Sequence, residues 1–303
     1  MRYAVPFVAF VSTLLCFLAG SAQAQYDVGD TIVVIRDVPL KVQDRRVAEL
    51  FPGIVANVQK VQDDWLEITY TQRGWVNADD VLPLDDAADY FTEQIRQDPE
   101  NRSLRAARAL VQEAKGEYRE AIDDYTALIR ADPEEGSSYN NRARVYFADG
   151  QYQRAVDDYT EAIRLYKAPE LRALAHNNRG LAHEKIGEFG IALADYAAAI
   201  RFNSAYVDPY NARAWLLATC RDPDFHDGPR AVEDATRACD MTEFRNAGFL
   251  NTLAAAHARN GDYDMAIQRQ NEAMELAPDS WGEWCRARLA EYEKGQPYTQ
   301  AAE

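Results

Sequence analysis

The 303-residue sequence predicts a multidomain chain, a small all-β barrel followed by an all-α superhelix of helical hairpins. Three observations predict it. Alanines recur at 121, 155, 192, 231 and 266, at spacings of 34, 37, 39 and 35 residues. Gly116, Gly150, Gly187 and Gly261 fall five residues before four of those alanines, each between two helical patterns. Self-similarity at that period marks stacked two-helix repeats. Residues 26–84 keep a different rhythm, of short β-branched and aromatic runs split by turn residues, which reads as a small barrel.

The chain opens with Met1 and Arg2, an apolar run over 5–18, and the small-residue site Ala22-Gln23-Ala24. This reads as a secretory signal peptide over 1–24, too short and wrongly flanked for a membrane span. The expected location is exported, periplasmic or secreted from a bacterium. Cys16 follows Leu15, where lipid attachment wants a small residue; its lipidation stays open. Without residues 1–24 the chain loses Arg2 and no acid. That leaves 32 Lys+Arg against 49 Asp+Glu, a charge of −17. Such a balance argues against nucleic acid and anionic membranes as partners. Cys220, Cys239 and Cys285 remain, an odd count that leaves at least one thiol free. Cys220 and Cys239 fall at opposite ends of one predicted hairpin, so they read as small apolar fillers, not a bridge.

In the β segment the candidate core is Val33, Ile35, Leu40, Val55, Val58, Leu66, Ile68 and Val76. About 60 residues bury only a modest core. The markers Val28-Gly29-Asp30, Pro52-Gly53, Asp64-Trp65-Leu66, Gly74-Trp75-Val76 and Asp80-Val81 follow one another in an order that resembles a bacterial SH3-like (SH3b) domain. The resemblance implies peptidoglycan or peptide binding, or simple docking. Trp65, Tyr70 and Trp75 either form an aromatic platform or fill the barrel.

The array is expected over 87–293. A lead-in helix over 87–97 stops at Asp98-Pro99. Units follow near 102–135, 136–172, 173–206, 207–246 and 247–280, with a capping helix over 281–293 and a flexible tail over 294–303. Ala109, Ala143, Gly180, Ala214 and Ala254 hold the eighth position of successive units. Tyr125, Tyr159 and Tyr196 hold the twenty-fourth, and Pro133 and Pro278 close the first and fifth units. This pattern resembles the tetratricopeptide repeat. The resemblance implies that small residues at positions 8 and 20 let paired helices approach, and that large ones at 4, 11 and 24 fill the space between.

A second regularity belongs to this chain. Position 7 is Arg108, Arg142, Arg179 and Arg213 in the first four units, and position 23 is Asp124, Asp158, Asp195 and Asp234. Both change together in the fifth, to Leu253 and Arg269. Joint loss predicts four structural Arg–Asp pairs, each within one hairpin; planar Arg suits a partly buried carboxylate.

By resemblance, positions 2, 5, 9, 12 and 13 line a concave groove. Position 5 is Asn140, Asn177, Asn211 and Asn251 in units two to five. An amide offers a donor and an acceptor, as an extended peptide backbone requires. Arg144, Lys185 and Arg259 would add positive charge there. The competing reading makes the asparagines structural. The insertion 221–230 holds Asp222, Asp224, His226 and Asp227, but its glycine sits one place late for a calcium loop, so no metal site is expected. His176, His183 and His257 fall at core positions, and no nucleophile elbow, phosphate loop or zinc pair is present. The expectation is a non-enzymatic adaptor without cofactor that binds a protein or extended peptide. The alternative is a cell-wall protein whose β domain binds peptidoglycan while the repeats organise an envelope complex.

Overall fold

A computed structural model describes residues 26–43, 45–278 and 281–300. The expected signal peptide and Cys16 lie outside the described residues. The chain divides into two compact units at Lys115/Gly116.

The first unit contains seven antiparallel strands: β1 (Thr31–Val34), β2 (Val38–Val42), β3 (Arg45–Leu50), β4 (Val55–Gln62), β5 (Trp65–Thr69), β6 (Arg73–Asn77) and β7 (Val81–Pro83). They form one sheet in the order β3-β2-β6-β5-β4-β1-β7. Because β3 and β7 are the two ends of that order, the sheet does not close into the expected barrel. The sheet instead packs Ile32, Val34, Leu40, Leu50, Val58, Leu66, Ile68 and Val76 into one core.

Alternation along β1 explains where the remaining candidates go. Ile32 and Val34 face that core, while Val33 between them, with Ile35 and Val55, packs against helices. Those helices are α1 (Leu84–Gln97) and α2 (Arg102–Ala114). They supply Ala87, Phe91, Ala107 and Val111 to a second apolar cluster on the other side of β1. Strand β1 is therefore buried on both faces, which is why 31–35 reads as a continuous apolar run.

The second unit is helical: α3 (Tyr118–Ala131), α4 (Gly136–Ala148), α5 (Tyr152–Leu165), α6 (Pro169–Lys185), α7 (Phe189–Phe202), α8 (Asp208–Thr219), α9 (Gly228–Met241), α10 (Ala247–Arg259), α11 (Tyr263–Leu276) and α12 (Gly282–Glu293). The pairs α4/α5, α6/α7, α8/α9 and α10/α11 are hairpins, and α12 packs on α11. Gly150, Gly187 and Gly261 close first helices at φ 75, 84 and 85°, the left-handed stop that glycine adopts without strain. Small residues at the crossing are a packing requirement. A Cβ at Gly180 would sit 2.7 Å from the Tyr196 ring, and Ala143, Ala155, Ala254 and Ala266 are fully buried.

The insertion is a capped turn. Asp222 accepts from the Asp224 amide, Asp227 caps α9 through the Arg230 amide, and His226 Nε2 lies 2.6 Å from the Cys220 carbonyl. Cys220, Cys239 and Cys285 are buried free thiols. Burial raises the Cys239 thiol to about 12. No helix among the described residues is long and apolar enough to cross a membrane.

One segment departs from expectation. Residues 296–300, read as a frayed end, lie hydrogen-bonded on the helices of the array. The main-chain partners of Tyr298 and Gln300, Arg259 and Thr219, stand about 40 and 80 positions earlier in the chain, too far for any local pattern to announce them.

Candidate binding groove

The first helices α4, α6, α8 and α10 touch in succession. In α4, α6 and α8 the arginine at position 7 bonds the second helix of its own hairpin. Arg142 Nε and Nη2 reach the two oxygens of Asp158 at 2.7 and 2.8 Å. Arg179 takes Asp195 at 2.9 and 2.7 Å, and Arg213 takes Asp234 at 2.7 and 2.7 Å. Each is a planar two-point bond inside one hairpin, between side chains less than a fifth exposed. Burial works against the Arg142 guanidinium, but the Asp158 carboxylate holds its pKa above the ordinary arginine value. Arg108 and Asp124 fall in different compact units.

The third arginine nitrogen reaches the preceding helix. Arg142 Nη1 donates to Thr126 and Arg179 Nη1 to Thr160, both at 3.0 Å. Arg108 Nη1 makes the same 3.0 Å bond to Thr92 of α1. One guanidinium thus ties a hairpin together and indexes it on its neighbour. His176 adds to one of these knots, with Nδ1 2.9 Å from Asp195. His183 is buried with Nδ1 2.6 Å from Glu188, and His257 is half-buried, its pKa lowered by desolvation.

The asparagines at position 5 divide into two groups. Asn140 and Asn177 are buried and Asn211 is half-buried, and the Oδ1 of all three is enclosed without a hydrogen-bond partner. The amide nitrogens of two of them make long contacts, Asn140 to Asn141 at 3.5 Å and Asn177 to Tyr206 at 3.4 Å. Asn251 differs: its Oδ1 accepts from Arg288 Nη1 of α12 at 2.9 Å. Arg144 and Lys185 are exposed, while Arg259 is half-buried, its Nε donating to the Ala218 carbonyl at 2.6 Å. Desolvation lowers the Arg259 pKa below its ordinary value.

A cavity of about 490 Å³ has Glu184, Lys185, Phe189, Trp215 and Arg221 in its lining. Tyr298 and Gln300 border it from the segment after α12. Arg288 lies 4.8, 4.4 and 4.3 Å from the ring centres of Trp215, Trp284 and Tyr298. Burial raises the Glu184 carboxyl, opposed by hydrogen bonds from Tyr196 and Gln300. Neither Arg288 nor residues 298–300 carried a repeat signature, so sequence reasoning missed them.

In the first unit, Trp65 and Trp75 are half-buried and share a surface hollow of about 430 Å³ with Lys41 and Gln62. The ammonium groups of Lys41 and Lys60 stand 5.1 and 5.8 Å from the Trp65 and Trp75 ring centres. Tyr70 is exposed and does not line the hollow.

The tetratricopeptide repeat family matches residues 84–136, 136–169 and 247–280. These stretches of the helical array are tetratricopeptide repeats. The first match begins with α1, which stands where a preceding repeat would place its second helix; Thr92 there bonds Arg108 as Thr126 bonds Arg142. No curated protein matches the chain. Among solved structures, the Cut9–Hcn1 hetero-tetramer of the APC/C aligns at a TM-score of 0.56 and 17% identity, over 68% of this chain and 38% of that one. The C-terminal part of a tetratricopeptide repeat-containing protein from Cytophaga hutchinsonii aligns at 0.49 and 20% identity, over 61% and 70%. YrrB, a repeat protein described with an unusual peptide-binding site, aligns at 0.49 and 18%, over 69% and 99%. At these identities the likeness is one of fold, and this chain spans little more than a third of the Cut9–Hcn1 chain.

Proposed function

We propose that the protein is an exported, non-catalytic adaptor that holds an extended peptide or protein segment along the first helices of its repeats. The observation that carries this reading is the run of three enclosed Asn Oδ1 atoms, on Asn140, Asn177 and Asn211, that no protein group satisfies. A buried acceptor without a donor costs about 1–3 kcal/mol. Once these side chains turn their oxygens toward the groove, main-chain N–H groups of a bound segment would recover that cost at successive rungs, with little regard for the segment's side chains. Arg144 and Lys185 stand at neighbouring groove positions and suit an acidic or carboxylate-bearing segment. A pull-down from envelope extract tests it. Wild type should retain partners that the double variant Asn177→Ala, Asn211→Ala loses, and an unchanged partner set would remove the asparagines from the site.

A second reading is favoured by the hollow lined by Trp65 and Trp75. In an SH3-like domain such a surface suits a glycan or peptide of the cell wall, and the repeats would then organise an envelope complex around it. Binding to purified sacculi that disappears in Trp65→Ala and Trp75→Ala supports this reading. Retention by both variants rejects it.

A further inference from the structure

We infer that residues 296–300 are a built-in occupant of the groove, and that the site beneath them takes an extended peptide segment anchored by a tyrosine. This rests on the peptide-groove reading and names one site within it.

The geometry is that of a ligand turned onto its own protein. Helix α12 ends at Glu293, and Gly295, at φ +70°, reverses the chain. The turn is fastened by the Gly295 and Gln296 amides, which donate to the carbonyls of Tyr292 and Glu291 at 2.9 and 3.0 Å. Beyond Pro297 the segment is bonded through its main chain. Arg259 Nη2 donates to the Tyr298 carbonyl at 3.0 Å and to Thr299 Oγ1 at 2.9 Å. The Gln300 amide donates to the Thr219 carbonyl at 2.8 Å. The Tyr298 ring lies against Arg288 and Trp215, at 4.3 and 5.9 Å, and the Gln300 side chain reaches Glu184.

Three features separate this from an ordinary structural cap. The contacts fall on groove positions: Trp215 at position 9, Glu184 at 12 and Arg259 at 13 of their units. They pair one main-chain carbonyl, of Tyr298, and one main-chain amide, of Gln300, with the Tyr298 ring as the side-chain anchor, a combination by which extended peptides are held. The receiving groups are also preset. Arg259 is fixed by the Ala218 carbonyl and Arg288 by Asn251, bonds that do not involve the segment. If 296–300 left, two oriented guanidinium groups and the Trp215 face would remain, next to the unfilled cavity between Lys185 and Arg221.

An occupant of this kind lowers the apparent affinity for any competitor by the fraction of time the site is open. The test uses a fluorescent peptide of residues 294–300, Lys-Gly-Gln-Pro-Tyr-Thr-Gln, titrated into the full chain and followed by polarisation. Tyr298→Ala should bind it at least about tenfold more tightly than wild type. Gln300→Pro removes the amide bond to Thr219 and the side-chain bond to Glu184 while leaving Tyr298 in place, and should tighten binding in the same direction, which guards against a folding defect in the first variant. The same peptide with its tyrosine replaced by alanine should not bind. Equal affinity in wild type and both variants, or no binding to any of them, overturns the inference. The peptide-groove reading fails separately, if partner capture ignores Asn177 and Asn211, which lie outside these contacts.

Discussion

The middle repeats and the last repeat solve the same packing problem with different chemistry. In the hairpins α4/α5, α6/α7 and α8/α9, an arginine at position 7 grips an aspartate at position 23 with two bonds of 2.7–2.9 Å. In α10/α11 the arginine is replaced by Leu253, which is buried, and the aspartate by Arg269, which turns to Glu272 at 2.6 Å. The groove changes with it. Asn140, Asn177 and Asn211 leave an enclosed oxygen unmet, whereas Arg288 of the capping helix closes the Asn251 rung. The comparison teaches that the charge pairs belong to repeats with a neighbour on each side, and that the end of the array is sealed by apolar packing and its cap.

The largest expected effect comes from breaking a pair on one side only. Asp195→Ala leaves Arg179 buried and uncompensated and should cost about 3–5 kcal/mol in chemical denaturation. Replacing both partners by apolar residues of similar volume should cost far less, because the desolvation penalty vanishes with the charges. A small loss from Asp195→Ala alone would show that the pair is well solvated and that the repeats are held otherwise.

Acid probes the same knot without mutation. Burial pushes the Asp195 carboxyl up, but hydrogen bonds from His176 and Arg179 hold it below its ordinary value of 3.8. A depressed acid contributes its full stability above the unfolded value and loses it as pH falls through the folded one. Denaturation midpoints should therefore fall below pH 3.8, and Asp195→Asn should flatten that part of the profile.

At the capped end, Arg288→Ala strands the Asn251 oxygen and should cost about 1–3 kcal/mol, read as a lower melting temperature. Preserved stability would mean that Asn251 finds another donor. The smallest effect concerns the index bond between repeats. Thr160→Val removes the acceptor of Arg179 Nη1 and should cost about 1 kcal/mol. In the next hairpin Ala197 stands at that position, so Ala197→Thr should stabilise by up to about 1 kcal/mol if it gives Arg213 the same acceptor. A neutral Thr160→Val together with a neutral Ala197→Thr would reduce the index bond to a bystander.

Much of this was legible because repetition supplies its own control. Joint replacement of Arg and Asp in the fifth unit identified partners that stand 16 residues apart in the second and third units, and the even spacing placed Asn140, Asn177 and Asn211 on equivalent turns. The β segment offered no such control. Its strands were readable from alternation, yet alternation says which residues share a face and not whether the last strand meets the first. Val33 and Val55 were read as barrel core, and they pack instead on α1 and α2, since β1 has two apolar faces.

The sequence by itself determined the period of the array, the partner of each position-7 arginine in the second to fourth repeats, and the composition of the groove rungs, all of which are set by contacts within one hairpin or between adjacent ones. The tertiary structure decided that the sheet stays open, that Arg288 bonds Asn251, and that residues 298–300 lie against Arg259 and Thr219. Those outcomes depend on meetings between distant segments: Arg288 with Asn251 across 37 positions and Arg259 with Tyr298 across 39. Closing such loops is decided by the packing of the whole array, and a local pattern carries no record of it.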